Sequence, residues 1–541
     1  MDAQQQTGDA GPDQAMLEQA GVSEAEFDAA RKRVGGPYAW YVLGVLVVVY
    51  IFNFIDRQIM SILAEDIKAD LGIDDAQIGF LYGTVFGVFY ALFGIPLGRL
   101  ADSWHRIRLL SIGLALWSAM TALSGFARNF GQLAGARIGV GIGEASASPV
   151  AYSVLSDYFP KEKRATALAI YSSGLYLGGG ISLFIGGLIV ERWNAAFPGG
   201  GPLGLVGWQA AFLAVGLPGL LLALWVASLK EPIRGIAEGI ASPREPKPWS
   251  KFFTELSSVL PPFTLVHAAS FGRRAMFVNL VAAGLTAAAV WLMWRLFGNW
   301  PQWTALGVAS YAIFSWSQSL RIRDRPTFAL IWGTPTFVTL VLASGLLALT
   351  GYAIGFWGAP YAIRTFGLDK AVVGLALGGG GALGGFIGVI LGGRLADWFR
   401  RGNPGGRILT GFLASVLTAP LIVLQFTTGS FPVFVIAAFL TSVTGSLWLG
   451  AAAATTQDLV LPRMRGGATA TFFLGTTIIG LGLGPFLVGA LSELLRDLGQ
   501  ANIALVGLVP LVAAMLFYVY RSLPAAEASR IDRARAAGEP I

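Results

Sequence analysis

The sequence predicts an all-α polytopic membrane protein made of two six-helix repeats with a two-helix transmembrane insertion between them. Three observations predict it. The 541 residues have a mean hydropathy of +0.64 and only 13% charged residues, against about 25% in a soluble domain. Two successive sets of six apolar runs can each cross about 30 Å of hydrocarbon. A loop motif also recurs at the same place in both sets.

The first set lies near residues 39–64, 77–101, 107–127, 131–157, 165–192 and 206–229, the second near 328–358, 371–397, 405–428, 431–457, 466–493 and 502–522. These give six-helix bundles over 37–229 and 321–523. Residues 1–36 read as a solvated tail in which Ser23 to Arg33 can form a short amphipathic helix, and 524–541 as a second tail. A polar connector covers 230–274. Apolar runs at about 275–297 and 304–320, joined by a turn from Gly298 to Pro301, form the inserted hairpin over 275–320. An even insertion leaves the second bundle's orientation unchanged. The first 36 residues are polar and the first apolar run is too long for a signal-peptide core, so that run is expected to insert as the first span.

Basic residues set the orientation. Arg106, Arg108, Lys161, Lys163, Arg164, Arg321, Arg323, Arg325, Arg400, Arg401, Arg407, Arg463 and Arg465 fall on the side of the termini, whereas Lys68, Arg128, Arg192, Arg364, Lys370 and Arg496 fall on the other. The expectation is a multi-pass protein of the inner (cell) membrane with both termini cytoplasmic. The net charge of +7 is therefore topology rather than nucleic-acid binding. With no cysteine and only His105 and His267, thiol chemistry, Cys/His zinc sites and His-based triads lose their support. No cofactor, no metal, no enzymatic activity and a monomer are expected.

Inside the fourth run, Arg137 and Glu144 stand seven residues apart. At about 100° per residue both face the same side of a helix. A charge in hydrocarbon costs at least a few kcal/mol, so this face turns into the bundle. In the first run Asn53, Asp56 and Arg57 share one turn. Antiparallel first and fourth spans arrange the four charges as a ladder that sums to zero. Protonating Glu144 leaves a surplus positive charge that a phosphate or carboxylate on a substrate can neutralise at Arg57 or Arg137. Burial disfavours the carboxylate and a nearby arginine favours it, so a modest conformational change can make Glu144 take or release a proton. A purely structural ion pair and a sodium site are the alternatives.

Gly98-Arg-Leu-Ala-Asp102 ends the second span, and Gly393-Arg-Leu-Ala-Asp397 ends its counterpart. Asp157 with Arg164 closes the fourth span, and Asp458 with Arg465 closes the tenth. Such parallel repeats place a substrate site between the halves near mid-membrane. The duplicated motif and Arg137-x-x-x-Gly141-x-Gly143 resemble the major facilitator superfamily, which implies its fold and alternating access. Asn53-Phe-Ile-Asp56-Arg57 and Gly141-Ile-Gly-Glu144-Ala-Ser, followed by Asp157-Tyr-Phe-Pro, resemble the spinster-like branch. That resemblance implies lysolipid or sphingoid-phosphate substrates and proton coupling at Asp56 and Glu144, with Arg57, Arg137 and Asn53 as substrate contacts. The insertion departs from the usual twelve spans, and His105 replaces a small loop residue. Gly98, Asp102, Arg106, Asp157, Arg164, Asp397, Asp458 and Arg465 read as a cytoplasmic gate of charge-assisted bonds that hold that face closed in one state.

Most of the 71 glycines read as helix packing, and Gly480 to Pro485 as a hinge in the eleventh span. The fifth span has Gly174-Leu-Tyr-Leu-Gly178 without the proline of the antiporter motif, which weakens a drug-antiporter reading. The second half lacks a partner for Glu144 and offers Trp332, Tyr352, Trp357, Gln425, Thr441 and Trp448 instead. A charged half facing an aromatic-apolar one suits an amphipathic anion. The function expected is a proton-coupled secondary transporter of such a substrate. A carrier of sugars, organic acids or drugs is the alternative, and a lipid enzyme or a channel are the more distant ones.

Overall fold

The computed structural model describes residues 14–241, 243 and 245–540; residues 1–13 of the expected tail and part of the connector lie outside it. Among the described residues all regular structure is helical. Twelve helices are long and apolar enough to cross a membrane. Eleven are core spans: Pro37–Leu71, Asp75–Ser103, Arg106–Ser124, Glu162–Ala196 and Gly207–Ala227 in the first half, and Pro335–Phe366, Lys370–Arg400, Pro404–Thr427, Phe431–Asp458, Pro462–Leu495 and Leu498–Ala528 in the second. The remaining core span, the fourth, is broken at Ala145 and Ser146 into Phe130–Glu144 and Ala147–Tyr158. The twelfth qualifying helix is the first of the insertion, Arg273–Phe297. Its partner Trp300–Arg323 is long enough but less apolar.

The second and eleventh spans each contain a π-helical turn, Phe80–Thr84 and Thr476–Leu481. The latter ends on Gly480 and Leu481, the first two residues of the stretch read as a hinge. These turns face each other across the halves, and only glycine fits there. A Cβ on Gly83 would collide with the Leu481 carbonyl, and on the other flank a Cβ on Gly180 would lie 2.5 Å from the Gly378 carbonyl. Both approaches belong to the face opposite the termini and to mid-membrane. Nearer the termini the spans part, and Cβ atoms at Gly94 or Gly98 would meet nothing within 4 Å. The tight approaches between the halves that the glycines mark therefore lie away from the termini, and the second span is free of them nearer the termini. We expect Gly83→Ala to force the seal apart at a cost of about 1–3 kcal/mol, read as a lower thermal-unfolding midpoint in detergent.

The N-terminal segment is more ordered than a solvated tail. Ser23 caps Glu24–Arg31 in a reciprocal box with Glu26. This helix buries Phe27 in a small apolar core with Leu17, Ile236 and Ala241, so the tail packs on the connector. The C-terminal end likewise forms Arg530–Ala536, with Ala534 buried and Arg530 donating to the Asp458 carbonyl at 2.5 Å. A few buried apolar side chains suffice to dock each segment.

Candidate functional site

Glycine spacing in the fourth span sets the depth of the site. Gly143 lets this span press against the third, where a Cβ would lie 2.7 Å from the Gly113 carbonyl. Glu144 is thereby buried, with Asn53, Asp56, Arg57 and Arg137 around it, all no more than 6% exposed. The Arg57 Nη2 donates to Glu144 Oε2 at 2.7 Å. The guanidinium also lies 4.8 Å from the Phe54 ring centre, 4.7 Å from that of Phe86 and 5.1 Å from that of Tyr90. Aromatic faces stabilise a desolvated cation. Arg137 also lies over the Phe86 ring, 5.1 Å from its centre, and donates to the backbone carbonyls of Leu81 and Asp56, each at 3.4 Å. Asp56 has Glu144, Arg137, Thr121 and Trp117 as neighbours, and Asn53 lies beside Glu144. Glu144 Oε1, Asp56 Oδ1 and Asn53 Nδ2 have no hydrogen-bond partner among the described residues. A cluster with such spare capacity can accept a proton or a ligand without first breaking every bond it has.

The structure thus gathers all five predicted residues of the first half. It separates them, however, from the central cavity of about 340 Å³ between the halves. Phe54, Gln58 and Tyr82 form the first half's edge of that cavity beside the charges, and Tyr352, Gln425 and Thr441 stand across it. No charged side chain lines it among the described residues. Of the residues expected in the second half, Tyr352, Gln425 and Thr441 reach the cavity, whereas the tryptophans do not. Trp357 is buried and donates to the Pro485 carbonyl at 2.8 Å; Trp332 packs on Trp316, and Trp448 packs near Phe472.

The motif residues on the terminus-bearing face form bonds within each half. Arg106 Nη1 donates to Asp157 at 2.5 Å, and Arg407 makes the equivalent pair with Asp458. Glu231 of the connector accepts from Arg106 Nε at 2.7 Å and from the Ile107 N–H at 2.9 Å. Arg164 reaches Glu238 at 2.6 Å rather than Asp157. Asp102 has Arg234, Arg99 and Arg106 as its charged neighbours, Gly98 is unobstructed, and Asp397 and Arg465 are exposed with no ion pair among the described residues. His105 caps the third span, accepting from the Arg108 N–H at 3.3 Å. Burial holds its imidazole below the usual range although Glu231 lies 3.2 Å away.

Bonds between the halves lie on the opposite face, where no gate was expected. Arg364 donates to Asp75 at 2.8 and 2.7 Å and to Glu65 at 3.0 and 2.7 Å. Lys370 pairs with Asp66 at 2.5 Å, and the Asp75 N–H donates to Glu493 at 3.0 Å; within the first half, Lys68 pairs with the same Asp75 carboxylate. Three of the six loop cations that break the basic-residue asymmetry are in this lock. Their position on the poorly basic side was the available signal.

Known proteins match this architecture. The family profile described as Major Facilitator Superfamily matches residues 46–359 and 359–541. An MFS-type efflux pump of Mycolicibacterium smegmatis is 27% identical over 493 residues, 90% of this chain and 94% of that protein. Protein spinster of Drosophila melanogaster is 29% identical over 204 residues, 38% of this chain and 32% of that protein. A bacterial homologue of the human lysosomal transporter Spinster, crystallised in an inward-facing and occupied conformation, superposes with a TM-score of 0.63 at 24% identity, covering 93% of this chain and 96% of that one. The likeness to Protein spinster agrees with the spinster-like resemblance of the first and fourth spans, and the solved structure shows the same fold. The duplicated halves, the charged centre of the first and the match along nearly the whole chain make this protein a member of the major facilitator superfamily.

Proposed function

We propose that this transporter couples protons to the movement of an amphipathic anion, such as a lysolipid or sphingoid phosphate, by alternating access. The observation that carries the reading is the buried Arg57–Glu144 pair immediately behind a cavity wall that is itself uncharged. When Glu144 takes a proton it releases Arg57, whose guanidinium then has no counter-charge at 2.7 Å. An anionic headgroup arriving past Phe54 and Gln58 supplies one. The apolar stretch of the ligand meets Leu175, Leu183, Leu347 and Val512, while Gln425 and Tyr352 hold its polar shoulder. Asp56, near Glu144 and Arg137, is the second proton acceptor, and Asn53, whose Nδ2 is unbonded, joins Arg57 and Arg137 as a contact for the headgroup. With the face opposite the termini locked, Asp102, Asp397, Arg465 and their partners are available to close the other face in the alternate state.

A carrier of sugars, organic acids or drugs is the second reading. Its drug arm is favoured by the resemblance to an efflux pump over 90% of the chain. Sugar acids, polar along their whole length, suit the largely apolar lining less. The deciding experiment is uptake of labelled lysophospholipid or sphingoid phosphate into proteoliposomes, with and without a pH gradient. One pH unit stores about 1.4 kcal/mol per proton, enough for about tenfold accumulation at one proton per turnover. Native protein is expected to reach that accumulation, whereas Glu144→Gln loses the gradient's effect but retains exchange. Gradient-driven uptake that survives in Glu144→Gln moves the coupling to Asp56; absence of any flux by folded native protein discards the lipid and leaves the drug panel.

A further inference from the structure

The two helices of the insertion are sorted by polarity. Arg273–Phe297 exposes Phe277, Leu285, Trp291 and Leu296, an apolar surface suited to lipid. Trp300–Arg323 buries Gln302, Ser315 and Ser319. A polar seam joins the pair: the buried Asn279 donates to Gln318 Oε1 at 2.8 Å and accepts from the Tyr311 hydroxyl at 2.5 Å, and Thr264 donates to that hydroxyl at 3.0 Å. The apolar helix thus shields the polar one, which would be costly to expose to hydrocarbon.

The polar helix touches both halves. Gln302 stands where the two π-turns meet. The Thr84 hydroxyl of the first half reaches its Oε1 at 2.5 Å, and its Nε2 donates to the Gly482 carbonyl of the second half at 3.3 Å. Toward the termini, where the second and eleventh spans part, Ala309, Ala312 and Trp316 enter one apolar cluster with Val88 and Leu92 of the second span and Leu474 and Ile478 of the eleventh. At the helix end, Glu255 of the connector helix Pro248–Val259 accepts from Arg323 at 3.2 and 3.3 Å and lies 3.9 Å from Arg99. No residue of the insertion lines the central cavity among the described residues.

We propose that the insertion is a lateral wall: it fills the wedge left between the second and eleventh spans when the halves splay toward the termini, and so bars bilayer molecules from the cavity along that flank. Packing explains the need for it. A gap between parted spans leaves apolar side chains without contacts, and in a bilayer acyl chains fill it unless protein does. The wall acts on access and holds whatever the cavity carries.

The chain lacks cysteine, so Leu474→Cys gives a single reporter beneath the wall, and Leu375→Cys gives a lipid-exposed control on the eighth span. Both are reconstituted and treated with pyrene maleimide dissolved in the bilayer. With the insertion intact, Leu474→Cys is expected to label more than an order of magnitude more slowly than Leu375→Cys. Trimming the wall with Gln302→Ala, Leu306→Ala and Trp316→Ala together, or replacing residues 275–320 by a short Gly-Ser linker, is expected to bring the reporter close to the control rate. The trimmed protein decides the matter if the shortened one does not elute as a folded species. Fast labelling beneath an intact insertion overturns the proposal. So does slow labelling in a folded protein whose wall has been trimmed or removed.

Discussion

Replacing Asp75 by asparagine is expected to open the face opposite the termini. The Asp75 carboxyl gathers Lys68, two bonds from Arg364 and the Ser492 hydroxyl at 2.8 Å, and its side chain is 3% exposed. Lys68 belongs to the first half, while Arg364 and Ser492 belong to the second, so this carboxylate is charged mortar between them. An asparagine keeps the volume but removes the charge. Charge-assisted bonds contribute about 1.5–3 kcal/mol each, and part exposure of Arg364 lowers that through solvent screening. A net loss of about 1.5–3 kcal/mol shifts the balance between the two states by roughly ten- to a hundredfold. Spin labels on cysteines at the exposed Ala69 and Thr365 should report a longer distance population in Asp75→Asn than in the native background. An unchanged distribution would show that the remaining bonds to Glu65, Asp66 and Glu493, with the glycine contacts, suffice to hold this face shut.

The second large effect concerns the Arg57–Glu144 pair. Arg57→Met leaves a carboxylate buried with no cation at hydrogen-bond distance, and breaking a buried pair from one side costs about 3–5 kcal/mol. Glu144→Leu costs less, because Phe54, Phe86 and Tyr90 continue to face the guanidinium. Arg57→Met combined with Glu144→Leu removes both charges and should recover most of the loss. Thermal unfolding of the three variants in detergent forms a double-mutant cycle. A coupling of about 2–3 kcal/mol is expected, and additivity within about 0.5 kcal/mol would mean that the pair contributes nothing as a pair.

Much of this was legible in the sequence because hydrocarbon imposes simple rules. A run of about twenty apolar residues has to become a helix that satisfies its own backbone, so the core spans could be placed in order, although ends such as those of the first and seventh spans shift by up to eight residues. The same rule requires ionisable and other strongly polar groups inside a span to turn toward one another, which is why Asn53, Asp56, Arg57, Arg137 and Glu144 converge as their spacing implies. The repeat was legible because Asp102 and Asp397, and Asp157 and Asp458, recur in order. Periodicity does not reveal the break after Glu144 or the π-turn at Phe80–Thr84, since both arise from the packing of neighbouring helices.

By itself the sequence determined the membrane class, the duplicated halves and the five buried polar residues, because these follow from local apolarity and the cost of charge in lipid. Only the tertiary structure decided which ions pair. Arg164 was expected to serve a gate with Asp157, yet it meets Glu238. Lys68, Arg364 and Lys370, ordinary loop cations in the sequence, lock the halves on the opposite face. An ion pair depends on where two distant helices end, and a loop residue's composition carries no record of its partner. The docking of Phe27 and the wedge filled by Trp316 were hidden for the same reason: each is a contact between segments whose local patterns fit a free surface equally well.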